Sequence, residues 1–180
     1  MDARDQKINK LITGLQSDKE TLIINAIRQL YTVGTVELLP DLFKLYFITK
    51  SEIIRREILE LLNNLKDNDA CSYLVDAVNT YKGQEYFDQI VSSCWQSGLD
   101  YYQFLKVFID LVLEQDLFTA VEAFSVVEGN VPDLNPPDRE KLAHYIRSKL
   151  GIISEDRKNL VKEMLNVVQN VSGPFRISLN

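Results

Sequence analysis

The sequence predicts an all-α fold, a right-handed stack of about four to five short helix pairs. Three observations carry that prediction. Apolar residues recur at spacings of three and four along the 180-residue chain, with no strand-like alternation longer than a few residues. Helix stop and start signals fall roughly one short helix apart: Ser17-Asp18, Gly34-Thr35, Lys50-Ser51, Gly83, Gly98-Leu99-Asp100, Gly129-Asn130, Gly151 and Ser154. Helix faces and helix ends also recur together along the chain.

Taken in order, Ile8, Leu11, Ile12 and Leu15 mark a first helix, and Ile23, Ala26, Ile27 and Leu30 a second. Leu38, Leu42 and Leu45 give a helix over 36–49, with Pro40 in its first turns, where a missing N–H costs least. Its partner over 52–65 carries Ile54, Ile58, Leu61, Leu62 and Leu65. Further pairs are expected at 68–81 with 85–97 and at 101–115 with 118–128. Residues 131–137 read as a Pro-rich linker, because Pro136 and Pro137 force extended backbone before a new helix near Asp138. Helices over 138–150 and 155–171, the second capped by Ser154, form a C-terminal pair, the 138–172 segment. A stack needs a polar outer cap, and this pair is expected to supply one, the alternatives being a docked appendage or an arm reaching another subunit. The tail, 173–180, alternates apolar and polar after Gly173-Pro174 and reads equally as a fold-back strap or a frayed end.

Sliding the chain by 32 residues superimposes Ala26, Ile58 and Ile90, then Ile27, Leu59 and Val91, then Leu30, Leu62 and Cys94, with Leu22, Ile54 and Tyr86 one turn earlier. A step of 33 carries Val91 to Phe124 and Cys94 to Val127. On the opposite face Asn25, Arg28 and Thr32 become Glu57, Glu60 and Asn64, then Gln89, Ser92 and Gln96. Such i, i+3, i+7 sets share one side of a helix, so stacked copies line up a polar surface made by the second helices. Trp95, which superimposes on Tyr31 and Asn63, stands at the edge of the apolar stripe.

On these residues the helix pairs of 1–130 resemble HEAT-like repeats, with Pro40 matching the proline often found in the first helix of that family. Other first helices here lack that proline, and no consistent Asp and Arg/Lys ladder runs through the copies. The resemblance implies an α-solenoid and transfers no catalytic residue. It also implies the alternatives, since some HEAT-like families repair alkylated DNA and others attach bilins.

The formal charge is −6. Residues 1–66 carry net +1, residues 67–134 net −10 and residues 135–180 net +3, and the middle segment holds 11 of the 17 aromatic residues. Neither nucleic acid nor a membrane is the expected partner, because affinity for both rests on Lys and Arg. A protein or peptide, favoured if basic, suits acidic surface interleaved with rings. The expected partner-binding residues are Glu57, Glu60, Asn64, Asp88, Gln89, Ser92, Trp95, Gln96 and Glu128. Homo-oligomerisation through basic 135–180 against the acidic middle is the structural alternative.

Catalysis is not expected. The single histidine, His144, sits mid-helix with no sequence cue bringing Ser or Cys to it. One His and two Cys cannot build an all-His/Cys four-ligand zinc site, and Asp67, Asp69 and Asp76 lack calcium-loop spacing. No glycine-rich phosphate loop occurs, and neither cofactor nor metal is expected. Arg55-Arg56, countered by Glu52, Glu57 and Glu60, reads as solvated surface. Cys71 and Cys94 fall in helical patterns and read as small buried residues of a reducing, cytoplasmic compartment. Met1–Lys7 has no apolar run behind a basic end, so no secretory leader is expected.

Overall fold

The computed structural model describes residues 3–33 and 36–170, and within them every regular element is helical. Ten α-helices follow one another: α1 Ala3–Leu15, α2 Glu20–Val33, α3 Leu39–Ile48, α4 Glu52–Asn63, α5 Ala70–Thr80, α6 Phe87–Ser97, α7 Leu105–Glu114, α8 Leu117–Asn130, α9 Pro136–Lys149 and α10 Glu155–Asn170. Short 3₁₀ turns at Val36–Leu38, Tyr102–Phe104 and Val131–Asp133 lead into or out of them. No helix among the described residues is long and apolar enough to cross a membrane. The expected break at Gly34 and the tail over 173–180 lie outside the described residues.

The chain divides into two compact units, Met1–Leu99 and Asp100–Asn180. In the first, α1 packs on α2, α3 on α4 and α5 on α6. The first helices also touch in sequence, α1 to α3 to α5, and so do the second, α2 to α4 to α6. Two rows of helices therefore share one core. Residues at the recurring positions fill it: Ala26, Ile58 and Ile90 are buried, as are Leu30, Leu62 and Cys94. Leu22 departs from its counterparts and is exposed, because α2 has no preceding second helix to cover that flank. Both cysteines are buried, and Cys94 Sγ donates to the Ile90 carbonyl oxygen at 3.5 Å.

In the second unit α7 packs on α8 and α9 on α10, and α10 reaches both α7 and α8. Asn130 ends α8 and ties it to the chain entering α7: its Oδ1 accepts the Tyr101 N–H at 2.6 Å while Nδ2 donates to the Val126 carbonyl oxygen. Asp110 of α7 accepts from Lys106 at 2.7 Å and from the Tyr145 hydroxyl of α9 at 2.5 Å. α9 begins at Pro136, two residues before the expected start, because Asn135 caps it by accepting the Asp138 N–H and both prolines fit its first turn. Asp116 caps α8, accepting from Phe118 N, Thr119 N and Thr119 Oγ1. Burial pushes its carboxyl up, but these hydrogen bonds outweigh burial and hold it below the ordinary value.

Helices α1 and α2 approach closely at Gly14 of α1, where an added Cβ would stand 2.8 Å from Ala26 Cβ on α2. Helix propensity alone favours Ala over Gly by about 1 kcal/mol. Gly14→Ala is expected to reverse that sign, destabilising the chain by about 1–2 kcal/mol as α1 is forced off α2. A lowered urea midpoint with an unchanged m-value is the expected readout.

Candidate functional site

Polar side chains cross between the second helices of the first unit. Arg28 of α2 donates from Nε and Nη2 to the two carboxylate oxygens of Glu57 on α4, at 3.0 and 2.5 Å. A planar guanidinium and a carboxylate favour this two-pronged geometry. The hydrogen bond from Arg28 holds the Glu57 carboxyl below the usual carboxylate range against the opposing effect of burial. From α4 to α6 the link is neutral: Asn63 Nδ2 donates to Gln96 Oε1 at 2.8 Å, and Gln96 Nε2 donates to Ser92 Oγ at 2.7 Å. Arg28 is largely solvated, so the pair fixes the register of α2 on α4 more than it adds stability.

Two large rings stand on this row. Tyr31 is 56% exposed and Trp95 45% exposed. They share one position of the 32-residue register with Asn63, which is half-buried and turned to Gln96. Between α2 and α4 lies a cleft of about 400 Å³ bounded by Arg28, Tyr31, Glu57 and Glu60. An adjoining cavity of about 340 Å³ shares Tyr31 and Leu61 and runs under Leu30, Leu39 and Leu42. An apolar floor with a few polar groups at its rim is the usual make-up of a recognition pocket.

Of the residues expected from sequence, Glu60, Asn64, Trp95 and Gln96 are exposed on α4 and α6, with Ser92 partly so. The Asn64 side chain donates back to the Glu60 carbonyl oxygen at 2.9 Å. Glu57 and Gln89 turn toward neighbouring helices, Glu57 to Arg28 and Gln89 to Tyr46 of α3. Asp88 is half-buried in the first turn of α6. Glu128 is exposed near the end of α8, in the second unit.

The largest correction falls on Arg55. Of the pair Arg55-Arg56, expected as solvated surface, Arg55 is only 8% exposed and Arg56 alone faces water. Its guanidinium lies 4.0 Å from the centroid of the Tyr86 ring and 5.9 Å from that of Tyr46, and Nη2 donates to the Thr49 carbonyl oxygen. Its Nε is buried without a hydrogen-bond partner. Rings and a carbonyl thus stabilise a cation largely withdrawn from water. The register held the signal, since Arg55 superimposes on Ile23 and Phe87, both buried. Tyr86 itself is left-handed at φ 65°, the one positive-φ residue other than glycine among the described residues. Its ring is held on Arg55, and its carbonyl oxygen lies 3.1 Å from the Tyr46 hydroxyl, which shares its proton with Gln89 Oε1 at 3.0 Å.

Among the described residues no group of three or more His, Cys, Asp or Glu side chains could hold a metal ion. No protein-family model matches this chain, and no curated protein matches its sequence.

Burial drives the Tyr46 hydroxyl well above the ordinary tyrosine value of 10.0, partly offset by Arg55. The neutral phenol is the form the fold retains, so its contribution is complete below pH 10.0 and is lost as the pH rises beyond it. Alkaline unfolding followed by circular dichroism is expected to steepen above that point. In Tyr46→Phe the steepening shrinks, while stability at neutral pH falls by about 1 kcal/mol from the lost hydrogen bond.

Proposed function

We propose that this chain is a non-catalytic adaptor whose helix pairs are HEAT-like repeats stacked as an α-solenoid. Its α2–α4–α6 face receives a protein or peptide. One observation carries the reading: Tyr31 and Trp95 stand exposed on a row of helices already locked in register by Arg28–Glu57 and Asn63–Gln96. A partner meeting that face need not order it, so little binding energy is lost to reorganisation. Exposed rings on a rigid frame supply large contact area for few frozen torsions, and such residues dominate interface energies. Glu60, exposed at the rim of the cleft, favours a basic segment over an acidic one. Two buried cysteines, one of them donating as a thiol, suit a reducing cytoplasmic setting.

The test is a photo-reactive amino acid placed singly at Tyr31, Glu60 or Trp95 on the second-helix row, or at Asp41 or Lys44 on α3, in the producing cell. Covalent adducts are expected from the first three positions and not from the last two. Trp95→Ala combined with Glu60→Lys is expected to lose the adduct at Tyr31 while the thermal midpoint stays unchanged. Adducts formed from α3 alone would end this reading.

A further inference from the structure

A cavity of about 400 Å³ opens where the end of α3, the start of α4 and the turn before α6 meet, toward the small end of the range that small-molecule sites occupy. Arg55 lines it, and this side chain is only 8% exposed. Among the described residues its guanidinium meets one acceptor, the Thr49 carbonyl oxygen at 2.9 Å, and its Nε is buried with no hydrogen-bond partner. A guanidinium carries five N–H donors, and a buried donor without an acceptor costs stability. The Tyr86 ring that covers Arg55 lines the same cavity, on a backbone held at a positive φ of 65°. Strain of that kind collects at ligand sites. A cation with unused donors therefore borders a space of small-molecule size.

The other walls select the ligand. Lys50 adds a second cation, and Glu52 and Glu85 add two carboxylates, of which Glu85 already accepts from the Tyr86 hydroxyl. The charges that flank the turn in sequence, Lys82 and Asp88, are again one of each sign. A simple anion would meet both carboxylates along with the cations, and a simple cation would meet the reverse, so neither gains much. A molecule with one charge of each sign, a few bonds apart, satisfies both halves. Phe47 and Ile48 supply an apolar wall, and Ile48 is 67% exposed. We propose that this cavity binds a free α-amino acid with an apolar side chain, its carboxylate on Arg55 and Lys50, its ammonium toward Glu52 and Glu85, and its side chain on Ile48. The site is separate from the cleft between α2 and α4 and stands whether or not the α2–α4–α6 reading holds.

The probes are L-leucine, L-leucinamide, which lacks the carboxylate, and isocaproate, which lacks the ammonium. Each is titrated at neutral pH into the full isotope-labelled chain and followed by backbone chemical shifts. L-leucine is expected to move the resonances of Ile48 to Arg55 and of Gln84 to Tyr86 saturably. Each analogue should bind about tenfold or more weaker, because it loses charge-assisted hydrogen bonds. Lys50→Gln is expected to weaken L-leucine and isocaproate but not leucinamide, and Glu85→Gln to weaken L-leucine and leucinamide but not isocaproate. Lys50 and Glu85 are exposed, so both variants should keep the parent's thermal midpoint. Lys44→Gln, which removes a cation of α3 outside the cavity, should bind like the parent. The proposal falls if L-leucine fails to saturate the chain, if either analogue or acetate binds as tightly as L-leucine, or if both wall variants bind like the parent. Shifts confined to the cleft between α2 and α4 would overturn it equally.

Discussion

Everything in this fold follows from one constraint: a helix of ten to sixteen residues cannot hide its apolar face by itself. Each must be covered from at least two sides, by its pair partner and by a helix of the adjacent pair. That is why burial recurs where sequence position recurs, at Ala26, Ile58 and Ile90, and why Leu22, at the open end of its row, is exposed. It also explains where the small residues fall. Gly14 and Ala26 let α1 and α2 approach closely, which brings the flanking leucines and isoleucines into contact. The polar links between second helices are consequences of that packing, because their spacing is already set when Arg28 meets Glu57 and Asn63 meets Gln96.

Arg55 is the one place where the first unit breaks its own apolar pattern. A cation buried on a core position is costly unless something replaces its water. Tyr86 does so at the expense of an unfavourable backbone angle, and Thr49 contributes a carbonyl oxygen. The node joins the end of α3, the start of α4 and the start of α6. Breaking it would leave a mostly buried guanidinium with fewer groups to offset its lost hydration.

The helices were legible because periodicity and caps are local: Pro40, Ser51, Asp116 and Asn135 act within one turn of where they stand. The outward row was legible in part. Glu60, Trp95 and Gln96 face solvent as their spacing implies, but Glu57 and Gln89 spend their side chains on neighbouring helices. Which flank of a stripe meets a neighbour depends on how two helices pack, and composition does not encode that angle. Arg55 departs from its expected exposure for a related reason: its place in the register with Ile23 and Phe87 sets its burial, while its charge alone points to solvent. Nothing local to Phe118 signals that its helix presents that side to solvent.

Acidity, finally, does not by itself define a docking face in this chain. Much of the negative charge in the middle of the sequence serves the fold: Asp116 caps α8, Asp110 binds Lys106 and Tyr145, and Asp67 accepts the Asp69 N–H. Such carboxylates are committed to local donors and offer a partner little. Glu60 and Glu128 instead keep their carboxylates in water, each beside exposed apolar surface, Tyr31 for the first and the Val121 end of α8 for the second. A lone exposed carboxylate gains little from an ion pair, and a lone exposed ring binds without discriminating between partners. Together they would make burial of the ring depend on the sign of what arrives with it, which is the selectivity the proposed α2–α4–α6 face calls for.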